Sequence, residues 1–427
     1  MKTKKQVIED FRQHVNSGKV AFYEKYNMDL VMGRREGIRF WDAENDKSYI
    51  NLHCNGGVFN LGHRHPEIIS TLQSALELYD IGNHHLISSA RAEAARLLSD
   101  LMPGDLNYVV FGVSGGEATD TAIKIARGYT RREKIISAKG GYHGHTGLAL
   151  ATGDEKYRLP FGKQLPGFVQ VPFGNIDELK KEINQDTAAV ILETIPATLG
   201  MPIPSVEYMK GIRQLCDANG TLLILDEVQC GLGRTGRLWA FEHYDIVPDI
   251  VVLGKGLSGG IYPISATVIR QPLEQVFHKD PFIHISTFGG SELGCQVMKK
   301  VLEISSENSF LNHVNTIAEA VKEKLEVLID KHPRFFMGIR QKGLMAGLKL
   351  KDELCGPLLT KTAFDQGLLL VYANNDKSVC QFLPPLITTE EELDEIIPKL
   401  DRAMQEAQKL KPLLKVKNFF GNMFSKG

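Results

Sequence analysis

Three short, unbroken apolar runs in the middle of this 427-residue chain each deliver a charged side chain at or just past their carboxyl end. "AAVIL" leads into Glu193, "LLIL" leads into Asp226, and "DIVVL" is followed two residues later by Lys255. Continuous runs of four or five apolar residues read as strands buried on both faces, the kind found in parallel sheets with helices on either side. The intervening segments agree: after the β-rich "NYVVF" (107–111), "GGEATDTAIKIARGY" repeats apolar residues at helical spacing. The chain is therefore expected to form an α/β body whose sheet presents polar groups at the carboxyl ends of its strands, where open sheets of this kind hold ligands.

The stretch "ILDEVQCGLGRTG" (224–236) drives Asp226 out of a buried strand into a glycine-rich loop, and a buried carboxylate requires a positive partner. In "VVLGKGLSGG", Lys255 stands between glycines that would let a bulky adduct approach the backbone, a suitable setting for a nucleophilic amine. Gly115 and Gly116 open a helix directly after a strand, where bare N–H groups and the helix dipole favour an anion, although the same glycines also suit a tight turn. A carboxylate, an amine and an anion-binding helix start are the parts needed to hold pyridoxal 5'-phosphate.

Other features narrow the field. A net charge of −1 leaves no field to attract nucleic acid or anionic lipid. No stretch approaches the roughly 20 apolar residues of a membrane span, and the N-terminus lacks the apolar core of a secretion signal, so a cytoplasmic protein is expected. Six scattered cysteines without a CxxC pair point to reduced thiols and to no metal site. No GxGxxG is placed between a strand and a helix, which removes a nicotinamide dehydrogenase. Beyond residue 295 a long amphipathic stretch predicts helices leaving the large body; "GLMAGLKLK" and "GLLLVYA" predict strands, and "TTEEELDEIIPKLDRAMQEAQKL" a capped closing helix. The final "LLKVKNFFGNMFSKG" reads as a frayed tail or subunit contact rather than a membrane anchor.

The ordered set "SGGEATDTAIKIARGYT", "GGYHGHTG", "LDEVQCGLGRTG", "LGKGLSGG" and "STFGG" resembles the class III aminotransferases, a subgroup of fold-type I pyridoxal-phosphate enzymes, over roughly Asn51 to Leu386. This resemblance implies a large domain with a mainly parallel seven-stranded sheet plus a smaller α+β domain. Residues 1–60 would pack with the small domain, 61–310 would form the cofactor-binding domain, and 311–427 the small domain. By the same resemblance Lys255 is the Schiff-base lysine and proton shuttle, and Asp226 pairs with the pyridinium nitrogen. Gln229 contacts the phenolic oxygen, or else bonds to backbone as loop glutamines do. Ser114, Gly115 and Gly116 take the phosphate, with Thr287 reaching it from a neighbouring subunit, so a homodimer with shared sites is expected. Tyr142 stacks on the ring beside His143, unless that pair is mere packing; Glu193 lies near the cofactor or is a structural acid; Arg234 is structural or interfacial.

Departures from the family set the expected chemistry. Relatives that use glutamate commonly carry an arginine before "PPL"; here "SVCQFLPPL" places Gln381 there, and a neutral amide cannot make the bidentate pair with a carboxylate. Thr198 in "ETIPATLGMPIP" stands where those relatives have the acid that pairs with that arginine, and His145 replaces a second arginine. Gly56 replaces a bulkier side chain and suggests a wider pocket. The expectation is an aminotransferase that moves an amino group between a terminal amine or ω-amino compound, such as a diamine or amino sugar, and a keto acid or aldehyde. The alternative is an aminomutase or amino-acid racemase or epimerase, suggested by "YHGH" and "ATLGM".

Overall fold

The computed structural model describes residues 2–424 except 46, 83, 84 and 164, with side chains to residue 412. The expected reading of the C-terminal tail rests on side chains that lie outside the described residues. The central sheet has seven strands in the spatial order Leu106–Gly112, Ser265–Arg270, Ile250–Leu253, Leu222–Asp226, Thr187–Glu193, Lys134–Ala138 and Phe168–Val171. It is mainly parallel. Only Ser265–Arg270 runs antiparallel, to both its neighbours.

The central strands are buried on both faces, as their apolar runs require. Along Leu222–Asp226, Leu223 and Leu225 enter one apolar core while Leu222 and Ile224 enter the other. Val190 and Leu192 likewise oppose Ala189 and Ile191. This period of two fixes the direction of the residues that end the strands. Glu193 and Asp226 continue the phase of Ile191 and Ile224, so both belong to the face covered by the helix Gly115–Thr130, whose Ala118, Ala122 and Ile123 line that core.

A third core gathers Ile38, Ile50 and Leu52 from the N-terminal segment with residues from Val314 to Ala407. Phe336–Lys342, Met345–Leu350, Asp376–Phe382 and Val371–Ala373 form an antiparallel sheet in that order. "GLLLVYA", expected as one strand, is divided. Leu368–Leu369 pairs in parallel with the strand Ser48–Asn51, whereas Val371–Ala373 joins the other sheet, and the fully buried Leu370 sits at the change of partner. The closing helix, Glu390–Phe424, runs past its expected end, and Thr389 starts it with a reciprocal cap to Glu392. All six cysteines are free and buried, and no helix among the described residues is long and apolar enough to cross a membrane.

Candidate active site

Parallel pairing sets Glu193 opposite Asp226, so two acids meet at the carboxyl edge of the sheet. Asp226 is buried. Its Oδ1 accepts the Val228 N–H at 2.9 Å, and its Oδ2 lies 2.8 Å from His143 Nδ1. Burial alone would lower the pKa of His143, but the carboxylate of Asp226 outweighs it, and the net shift is upward. Burial, followed by the charge of Asp226, pushes the carboxyl of Glu193 up to about 7 against the partial relief of His143. Glu193 uses both oxygens on backbone: Oε1 accepts from Tyr142 N at 2.9 Å and Oε2 from Ala197 N at 3.2 Å.

Lys255 follows Ile250–Leu253 at the start of a short 3₁₀ turn, Lys255–Ser258, with φ of +40°. That left-handed backbone is strained for a lysine and is the kind of local cost that collects at functional positions. Its Nζ donates to Gln229 Oε1 at 2.8 Å, and Gln229 Nε2 donates in turn to Gln381 Oε1 at 3.3 Å. Burial lowers the lysine pKa, opposed by Asp226 and Glu193. Gly56 (φ +67°) closes the other side: a Cβ there would lie 3.1 Å from Lys255 Nζ and 3.2 Å from Gln229 Oε1. Four successive residues of positive φ, Cys54, Asn55, Gly56 and Gly57, shape that wall, and Asn51 Oδ1 holds it by accepting from Cys54 N at 2.8 Å.

Ser114 caps the helix Gly115–Thr130 by accepting from Glu117 N at 3.3 Å. The N–H groups of Gly115 and Gly116 occupy the first two helical positions, which have no intrahelical acceptor. Side chains are excluded around them. A Cβ at Gly115 would meet Val228 at 3.1 Å, one at Gly116 would meet Thr146 at 2.9 Å, and one at Gly144 would meet the Gly116 backbone at 2.6 Å. A bare, anion-favouring backbone, a buried acid pair, a lysine with a lowered pKa and a buried His143 Nε2 without a hydrogen-bond partner fit the phosphate, ring nitrogen and carbonyl carbon of pyridoxal phosphate. Among the described residues no cluster of His, Cys, Asp and Glu is suited to a metal ion.

The structure thus brings together Gly56, Gly115, Glu193, Asp226, Gln229, Lys255, His143 and Gln381 through the contacts given above. Tyr142 joins them through Glu193 and carries its ring outward to His145, at 5.1 Å between centroids, with Tyr157 5.3 Å from His145. Thr287 is exposed and makes no hydrogen bond to this group among the described residues; it stands in a segment with the exposed Phe282, Ile283, Ile285 and Phe288. Thr198 donates its hydroxyl to Gly140 O at 3.0 Å.

Two residues that spacing did not single out belong here. His53, in the Gly56 wall, is held neutral with a pKa lowered to about 4 by burial and then by the charge of Lys255. The glycine pair of "HCNGGV" was the only signal of its turn. Glu227 points away from Asp226 and accepts from Thr194 Oγ1, from Ala240 N at 2.7 Å and from Phe241 N at 3.2 Å. Burial pushes its carboxyl from 4.5 to about 7, outweighing those donors. Because the folded chain raises this pKa, the stability it contributes is complete below the ordinary value and is lost as pH rises through about 7. Glu227→Gln should flatten the fall in unfolding free energy between pH 5 and 8 measured by urea titration, by up to about 3 kcal/mol; an unchanged slope in the variant would remove Glu227 as its source.

Comparison with known proteins gives a consistent result. The Aminotransferase class-III family matches residues 22–404. The chain is 56% identical over 411 residues to an uncharacterized aminotransferase of Archaeoglobus fulgidus, covering 96% of each. It is 34% identical to the putrescine aminotransferase of Pectobacterium atrosepticum, covering 95% of this chain and 91% of that one. Among solved structures, the ornithine aminotransferase of Toxoplasma gondii superposes with a TM-score of 0.87 at 27% identity, covering 96% of both chains.

Proposed function

Because the chain belongs to the class-III aminotransferases, we propose that this pyridoxal-phosphate enzyme draws its amino group from a terminal primary amine or ω-amino compound, such as a diamine or amino sugar, and passes it to a keto acid or aldehyde. The observation that carries this reading is Gln381. It is buried, and its amide oxygen is 3.3 Å from Gln229, which itself meets Lys255. A substrate carboxylate at this position would face neutral amides and a neutral His53 instead of a guanidinium. The relative named for putrescine, a diamine, supports the same class.

Bound here, pyridoxal phosphate would supply an electron sink for the carbanion at the amine-bearing carbon. The chain supplies the rest. Gly115 and Gly116 would hold the phosphate with their N–H groups and Ser114 with its hydroxyl, the helix dipole adding to the attraction. Asp226 would hold a proton on the ring nitrogen, with His143 orienting the carboxylate through its Nδ1, 2.8 Å from Oδ2. Lys255, with its pKa lowered by burial, is suited to take and return a proton at the amine-bearing carbon. Glu193 would fix the backbone of Tyr142 so that its ring can cover the cofactor, and Gln229 would face the phenolic oxygen.

The test is the visible spectrum of the protein as purified, followed while single amines are added without keto acid. Loss of the cofactor band with terminal amines and little response to glutamate supports the proposal; no response to a broad amine panel would overturn it. Loss of chirality in an α-amino acid with the band intact would move the assignment to a racemase. Gln381→Arg should improve the glutamate half-reaction by about 10- to 100-fold, the worth of one charge-assisted pair. No gain would separate this position from carboxylate selection.

The exposed apolar segment around Thr287 supports an active unit of two chains, each lending Thr287 to the other's phosphate site. Light scattering on the eluted peak should give twice the chain mass, and a monomer with full activity would end this part. Divisions near residues 60 and 310 are supported by the apolar cores, two on the faces of the central sheet and a third on Ile38–Leu52 with Val314–Ala407.

A further inference from the structure

Arg234 is fully buried, yet no carboxylate among the described residues pairs with it. Its guanidinium is spent on three oxygens from three distant stretches of chain. Nη1 donates to Leu344 O at 3.1 Å and to Pro384 O at 2.6 Å, and Nη2 donates to Asn60 Oδ1 at 2.7 Å. Its own carbonyl accepts the Leu344 N–H at 3.0 Å, so the bond to that turn is reciprocal. An isolated buried cation is costly, and an arginine kept in this state must do something that neutral packing would not.

Two of these acceptors, Asn60 and Pro384, border the proposed amine pocket. Arg234 lies on the loop that carries Asp226 and Gln229. Asn60 closes the wall formed by residues 53–57, and Asn60 Oδ1 lies 3.3 Å from where a Gly57 Cβ would stand. Pro384 follows Gln381 by three residues at the end of the strand Asp376–Phe382. The wall and this strand end are also sewn together directly, by Leu383 N to Leu52 O at 2.7 Å and Leu386 N to Asn60 O at 2.7 Å. The loop is anchored to the central sheet at its other end, where Glu227 N donates to Val252 O at 2.9 Å, and the Glu227 carboxyl also accepts from Ala240 N and Phe241 N of the 3₁₀ turn Ala240–Tyr244.

We propose that Arg234 is the positioning residue of the amine pocket: one guanidinium fixes the distances among the Gly56 wall, the Gln381 strand end and the Gln229 loop. A guanidinium suits this task because its planar fork can serve several fixed acceptors at once, which a lysine cannot. The proposal rests on the reading that Gly56 and Gln381 line the amine site, so the experiment carries one arm that does not depend on any amine.

In that arm, hydrogen exchange is compared between wild type and Arg234→Gln, in the protein as purified. The expected result is faster exchange, by at least about tenfold, in both the 51–60 and 381–386 segments, with the strand Leu222–Asp226 unchanged. Change confined to residues 231–237 would overturn the clamp. If Arg234→Gln does not fold, Asn60→Ala removes a single acceptor; it should loosen 51–60 and spare 381–386, and equal protection in both would overturn the proposal. In the second arm, the amine KM of Arg234→Gln should rise about tenfold or more while kcat and the cofactor band stay near wild type, with Arg234→Lys restoring part of the loss. An unchanged KM with lost cofactor band would make Arg234 a general structural residue. A wild-type protein that responds to no amine refutes the substrate reading alone, and the exchange arm still decides the clamp.

Discussion

Lys255→Ala should lose turnover by more than about 10⁴-fold, because the variant lacks both the nucleophile and the proton carrier. The substitution removes a side chain whose amine is held by a single hydrogen bond, to Gln229 Oε1 at 2.8 Å, so the fold should survive and the melting curve should shift little. Stopped-flow spectra with a reactive terminal amine would read both properties at once. A variant that keeps its fold and turns over within tenfold of wild type would end the assignment of Lys255. The lowered pKa of the lysine, caused first by burial, also predicts that the basic half-reaction extends to lower pH than a free amine would allow.

Asp226→Ala should slow proton abstraction by about 10²- to 10³-fold, the range seen when a fixed charge that stabilises the reacting state is removed. Asp226→Asn is the informative companion, since it keeps the side-chain shape and the bond from Val228 N but loses the charge. Equal slowness in both variants assigns the effect to charge; a near-normal asparagine variant would reduce Asp226 to a loop anchor. A second reporter moves in a known direction. His143 titrates above the ordinary histidine value because burial is outweighed by the pull of Asp226, with Glu193 adding to it, so with the Asp226 carboxylate gone the imidazole pKa should fall. Nitrogen chemical shifts of His143 across pH would show it.

Most of the fold and the centre of the site were legible because they follow from local patterns. Apolar runs buried on both faces predicted the parallel strands, and the acids that end them lie where strand phase places them, opposite each other at Glu193 and Asp226. The glycines at 115 and 116 marked the start of a helix because their neighbours leave no room for a side chain. What escaped depends on contacts distant in sequence. The division of "GLLLVYA" turns on Leu368–Leu369 finding a partner more than 300 residues upstream, a choice that the apolar pattern of those residues does not encode. Arg234 was open between a structural and an interface role because its acceptors, Asn60, Leu344 and Pro384, have no relation to it in spacing. His53 escaped for a similar reason: only the folded wall brings it under the charge of Lys255.

The six buried thiols bear on how this protein can be observed. Burial pushes Cys54, Cys216, Cys295 and Cys380 up to about 12 and raises Cys230 and Cys355 as well, so almost none of them exists as the thiolate that alkylating reagents attack. The native chain is therefore a silent background for maleimide chemistry. One cysteine introduced at the exposed Asn374, on the turn before the strand that carries Gln381, would accept a fluorophore alone, and the arrival of an amine could be followed by light without cutting a single natural residue from the interior.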